Sequence, residues 1–96
     1  MKVRYTDTAL VEVEQIFSFI AERNRAAAIA VRERIEQTIS VLGEIPEMAQ
    51  ATDEPSVRRV PVRSYPFLIF YTVQAEEVVI LHVRHGARRA PWEAHD

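Results

Sequence analysis

Phe67-Leu68-Ile69-Phe70-Tyr71-Thr72-Val73, opened by Pro66, is β-branched or aromatic at every position but Leu68. That composition predicts a strand. No charged residue interrupts the run, which implies burial on both faces and hence a central strand. Gln74 to Glu77 then reads as a tight turn, and residues 78–84 as the partner strand of a hairpin. Upstream, residues 57–62 form a further strand. Pro61 demotes one end of it, so the missing N–H there faces away from a ladder partner.

Further upstream the period changes. Leu10, Val13, Ile16, Phe17 and Ile20 recur at steps of three and four, one apolar face of a helix over residues 8–23. Thr6 or Asp7 supplies its N-cap, and Glu12, Glu14 and Glu22 fall mostly off the apolar face. Asn24 breaks the run. Ala28, Val31, Ile35, Ile39 and Leu42 mark a second helix over residues 25–42, with Gly43 at the C′ position and Pro46 shortly after. So short a connection predicts an antiparallel helical hairpin. Lys2-Val3-Arg4-Tyr5 alternates as a short strand does, and residues 44–56, with Pro46 and Pro55, read as a loop. The order is β-α-α-β-β-β. Two amphipathic helices must bury their stripes, so the expected fold is α+β: a two-layer sandwich with the hairpin on one face of a mainly antiparallel sheet. Residues 1–96 read as a single domain with a C-terminal arm from about residue 86.

Composition narrows the function. The apolar fraction of 48% with 27% charged residues is that of an ordinary globular protein. No apolar run approaches the roughly 20 residues of a membrane span, and the N-terminus carries no apolar segment of the secretory kind. A cytoplasmic location is expected, with no membrane partner. Without cysteine, disulfides, thiolate metal sites and a cysteine nucleophile are excluded. Only Gly43 and Gly86 are glycine, so there is no phosphate-cradling loop. No carboxylate pattern for a metal is present, and no cofactor is expected.

Charge is unevenly spread. Between Ser56 and Trp92 six Arg (58, 59, 63, 84, 88 and 89) stand against Glu76 and Glu77, whereas the whole chain has a net charge of −2. A mildly acidic total argues against strong binding of free nucleic acid, whose affinity rests on phosphate neutralisation. A local basic field still favours an anionic partner. Arg outnumbers Lys eleven to one. Guanidinium forks suit carboxylates, phosphates and aromatic faces, although a GC-rich coding sequence enriches Arg as well.

The pieces in their order resemble the RelE/ParE superfamily of toxins from bacterial type II toxin–antitoxin (plasmid-stabilisation) modules. The resemblance rests on Tyr5-Thr6-Asp7-Thr8-Ala9-Leu10, Phe19-Ile20-Ala21-Glu22-Arg23-Asn24, Leu42-Gly43-Glu44-Ile45-Pro46, Arg58-Arg59-Val60-Pro61-Val62 and Tyr65-Pro66-Phe67, closing with Ile80-Leu81-His82-Val83-Arg84-His85-Gly86-Ala87-Arg88. It implies one of two activities: cleavage of messenger RNA on the ribosome, as in RelE-like members, or inhibition of DNA gyrase, as in ParE-like members. It also implies a cognate antitoxin, ParD-like or similar, with a tail that folds on the toxin. The hairpin ending at Asn24 and the His85-Gly86-Ala87-Arg88 segment look more ParE-like.

Metal-free RNA cleavage needs a base, an acid and cations for the phosphate. Arg63, Tyr65, Arg84 and His85 would be the catalytic residues of a ribonuclease. RelE-like nucleases carry a tyrosine near the C-terminus. Here none follows Tyr71, and the C-terminal aromatic is Trp92, a donor without a titratable group. Gyrase inhibition without chemistry is therefore the expected activity, and a member that has lost toxicity and only binds antitoxin is a further possibility. The residues expected to bind target or antitoxin are Arg59, Arg63, Arg84, His85, Arg88, Arg89 and Trp92. Alternation puts Arg59 and Arg63 on one side of their strand. His82 and His85, three apart in extended chain, point to opposite faces and do not share a metal. His85 either lines the open face or is held by backbone. Tyr71 is expected in the core and Tyr65 exposed. Trp92 either anchors a contact or folds back over the core.

Overall fold

A computed structural model of the chain describes residues 1–86. Along the chain run β1 (Lys2–Tyr5), α1 (Asp7–Ala21), α2 (Arg25–Glu44), β2 (Gln50–Ala51), β3 (Arg58–Pro61), β4 (Phe67–Gln74) and β5 (Glu77–His85). The sheet order is β1-β5-β4-β3-β2. Only β1 pairs in parallel, with β5; the other ladders are antiparallel. The two helices pack on one face. This is the expected α+β sandwich, with one strand more than the sequence showed. The addition, β2, is a two-residue ladder on Arg58 and Arg59 inside the stretch read as loop. Two residues carry no period to detect.

Both helices start where side chains satisfy their first N–H groups. Thr6 Oγ1 accepts from Ala9 N–H at 3.1 Å, and Asn24 Oδ1 accepts from Ala27 N–H at 2.9 Å. The Thr6 hydroxyl also donates to the Ile80 carbonyl at 2.9 Å, tying the start of α1 to β5. The core is formed by Val13, Val31, Ile35, Ile39 and Leu42 from the helices against Val60, Val62, Ile69, Tyr71, Val78, Ile80 and Val83 from the sheet. On the opposite face of β4, Phe70 and Thr72 are also buried, as the unbroken run implies. The Tyr71 hydroxyl donates to the Pro46 carbonyl, which pins the loop after α2. Val62 N–H bonds the Phe67 carbonyl at 2.9 Å. By alternation the missing N–H of Pro61 lies on the other side, where β2 has already ended.

Two expectations are corrected. Leu10 is not in the core: it is 50% exposed, and Ala9 is the buried residue at that end of α1. The inward stripe is centred on Ala9, Val13, Ile16 and Ile20, which leaves Leu10 on its flank. Gly43 is not a C′ residue. It lies inside α2, and a Cβ there would meet the Met1 carbonyl and Val3 Cγ2 at 3.1 Å. Close approach of β1, not a left-handed turn, calls for glycine.

Candidate functional site

The β5 strand outruns its neighbour. Pairing with β1 ends at Tyr5–Ile80, because the chain leaves the sheet there to begin α1. Residues 81–85 would then present an unpaired edge. Glu12, one turn into α1, reaches it: Oε1 accepts the Val83 N–H at 2.8 Å. Oε2 lies 3.2 Å from His82 Nδ1 and 3.2 Å from Arg84 Nε. One largely buried carboxylate therefore holds a backbone donor, a guanidinium and an imidazole. Such charge-assisted bonds are the stronger kind.

Beside this cluster lies a groove of about 590 Å³ between α1 and the end of the β4–β5 hairpin. Ile16, Phe19, Ile20, Phe67 and Val83 give it an apolar lining, and Glu12, Arg84 and His85 its polar side. Phe19 is 70% exposed, unusual for a large aromatic side chain. The His85 ring meets Phe67 edge-to-face, with centroids 5.8 Å apart. His82 turns to Glu12 instead, so the two histidines separate as alternation requires.

The other basic residues lie elsewhere. Arg58 Nη1 donates to the Ala49 carbonyl at 2.9 Å and braces the loop before β2. Arg59, paired with Phe70, is half-buried on the face away from the helices. Arg63 is exposed beyond the end of β3, followed by Ser64 in a left-handed conformation (φ 72°). Val62 is still buried beside Val60, and Arg63 follows it at the start of the turn closed by the Tyr65 N–H on the Val62 carbonyl. Tyr65 is half-buried and packs against the core instead of standing in solvent. It lines a hollow with Glu33, Arg34 and Glu36 of α2. Arg84 and His85 line the α1–β5 groove, while Tyr65 and Arg63 line two hollows that adjoin at Arg34 and Gln37. Arg88, Arg89 and Trp92 lie outside the described residues.

Two tyrosines have raised pKa values. Burial and then the nearby Glu36 carboxylate push Tyr5 up. Burial also raises Tyr71, against the lowering influence of Arg58 and the Ala49 backbone.

Sequence reasoning missed Glu12 and the exposed Phe19. Glu12 borders the apolar stripe next to Val13. Its role follows from the unequal lengths of β1 and β5, which only the ladder reveals.

The family model for the ParE toxin of type II toxin–antitoxin systems, parDE, matches residues 3–90. No curated protein matches in sequence. Among solved structures, the chromosomal ParDE toxin–antitoxin system from P. aeruginosa contains a chain that superposes with a TM-score of 0.81 at 18% identity, covering 88% of this chain and 95% of that one. The intact E. coli RelBE toxin–antitoxin complex gives 0.69 at 19% identity, with 91% and 98% covered. The isolated E. coli RelE toxin gives 0.68 at 20%, with 92% and 86% covered. At these identities the likeness carries the fold.

Proposed function

Since the chain belongs to the ParE toxin family of type II toxin–antitoxin systems, we propose that it acts by binding DNA gyrase, without chemistry of its own. What supports this reading is the match to the ParE toxin family over residues 3–90, together with the lack of any tyrosine after Tyr71. The C-terminal aromatic is Trp92, which has no titratable group, and Arg84 already serves Glu12. General acid–base catalysis requires its groups within reach of one substrate proton. A binding inhibitor has no such requirement.

The gyrase contact in this reading is the basic end of β5, with Arg84 and His85 beside the apolar groove, continued in sequence by Arg88, Arg89 and Trp92. An aromatic side chain among guanidinium groups is the composition of an interface anchor. The same reading supplies a cognate antitoxin, of ParD type or similar, that keeps the toxin inactive. It also places the protein in a bacterial cytoplasm, where gyrase works. Among the described residues no helix is long and apolar enough to cross a membrane.

The alternative is a RelE-like ribonuclease, favoured by the likeness to the RelE fold. Toeprinting on translating ribosomes separates the two. The purified protein is expected to leave messenger RNA intact. Cleavage at codon positions that disappears in His85→Ala would replace the gyrase reading. A chain that neither cuts RNA nor arrests growth would be a non-toxic member that only binds antitoxin.

A further inference from the structure

The carboxylate of Glu12 is fixed from two directions. Its helix is tied to β5 at the start of α1, where the Thr6 hydroxyl lies 2.9 Å from the Ile80 carbonyl and 3.2 Å from the Leu81 carbonyl. Its own oxygens are held further along the same strand by His82, the Val83 N–H and Arg84. The Glu12 and Arg84 side chains keep only 13% and 20% of their surface in solvent. A pair so covered is weakly screened and has little freedom to re-form elsewhere, unlike a surface ion pair.

Glu12 Oε2 meets Arg84 at Nε, 3.2 Å away. This side-on attachment uses one donor of the guanidinium and leaves both terminal nitrogens, which make no hydrogen bond among the described residues. Arg84 lines the α1–β5 groove, where it is the one guanidinium and Glu12 the one carboxylate; His85 is the other titratable group of that lining. Glu14 and Glu22 lie past Gln15 and Phe19, on the outward face of α1. The groove therefore presents a held guanidinium fork among the apolar side chains of Ile16, Phe19, Ile20, Phe67 and Val83.

We propose that Glu12 is a positioning residue for target binding: it holds Arg84 by Nε so that the terminal N–H groups meet an acidic side chain of gyrase in the groove. The inference rests on the gyrase reading and deepens it by naming the recognised group and the residue that aims the donor. A planar fork makes two parallel bonds to a carboxylate, and a fork already fixed in place loses less freedom on binding. Nucleic-acid phosphate is a poorer match, since the groove holds a single guanidinium and the protein is net negative.

The test measures supercoiling by purified gyrase over a range of toxin concentrations, with a melting curve for every variant and the assay run below each midpoint. Glu12→Gln keeps the size of the side chain and an acceptor for the Val83 N–H but loses the charge that holds Arg84. It should need about tenfold more protein for half inhibition, on the scale of one charge-assisted hydrogen bond. Arg84→Ala should be weaker still, and adding Glu12→Gln to it should change nothing further, because the carboxylate acts through the guanidinium. A carboxylate that only stabilised the fold would weaken both backgrounds alike. One that only neutralised Arg84 would leave a stronger inhibitor when removed. Either result, or inhibition by Glu12→Gln equal to wild type, overturns the inference and leaves the gyrase reading standing. If Glu12→Gln unfolds, Arg84→Lys decides: it keeps the charge on a single nitrogen, so full inhibition by it overturns the inference. Arg84-dependent binding to a labelled DNA duplex without gyrase overturns the choice of a protein carboxylate. Wild-type protein that does not inhibit gyrase removes the gyrase reading, and this inference with it.

Discussion

At Glu12 one carboxylate serves the Val83 N–H, Arg84 and His82. Glu12→Ala would leave a strand-edge donor and a half-buried guanidinium without their acceptor. A loss of about 1–3 kcal/mol is expected, the cost of an unsatisfied buried group. That corresponds to roughly 4–8 °C of melting temperature per kcal/mol for a domain of this size. Glu12→Gln should retain part of it, since the amide oxygen still accepts one bond, and thermal melts compare the two. Tyr71 gives a pH prediction. Its folded-state pKa lies above the ordinary phenol value of 10.0, chiefly because of burial. The folded protein therefore holds this proton longer than the unfolded chain. The stability so gained is fully present below pH 10 and declines as pH rises beyond it. Tyr71→Phe should cost about 0.5–1.5 kcal/mol at neutral pH, for the lost bond to Pro46, and should make the alkaline decline shallower. Denaturant midpoints from pH 7 to 11 check both effects. The burial of Tyr71 was legible from its place in an unbroken apolar run. The role of Glu12 was not, because it depends on where a neighbouring strand stops.

The β4–β5 hairpin has a two-residue turn whose central residues, Ala75 and Glu76, both have positive φ, at 47° and 64°. That is the arrangement of a type I′ turn, which favours Asn-Gly. An ordinary side chain in this region costs about 1–2 kcal/mol. Ala75→Asn with Glu76→Gly should therefore raise the denaturant midpoint by an amount worth roughly 1 kcal/mol or more. An unchanged midpoint would mean that the turn carries no strain. The sequence placed this turn from the flanking strands alone, since neither residue is a usual turn former. The helices and the three long strand runs were readable because their periods extend over many residues. Gly43 shows the limit: one glycine near a helix end fits a C′ position as well as a close approach, and only the position of β1 decides between them.

Across the whole molecule, basic residues that form one cluster in sequence are distributed over several surfaces. Arg58 braces a loop, Arg59 lies on the sheet face away from the helices, Arg63 borders the α2–β3 hollow and Arg84 joins Glu12. The concentration of charge was visible in the sequence; its partition depends on sheet order and on where each strand ends. In the proposed reading the protein inhibits by contact, and the basic end of β5 is the surface that faces the target. His85→Ala should then weaken growth arrest only modestly, because no proton transfer is lost. Loss of arrest equal to that of an inactive chain would point to catalysis. The central claim is tested most directly by ATP-dependent supercoiling of relaxed plasmid with purified gyrase and increasing amounts of the purified protein. Dose-dependent loss of supercoiled product, reversed by the cognate antitoxin, is the predicted result. Undiminished supercoiling at a large molar excess of protein that arrests growth in cells would contradict it.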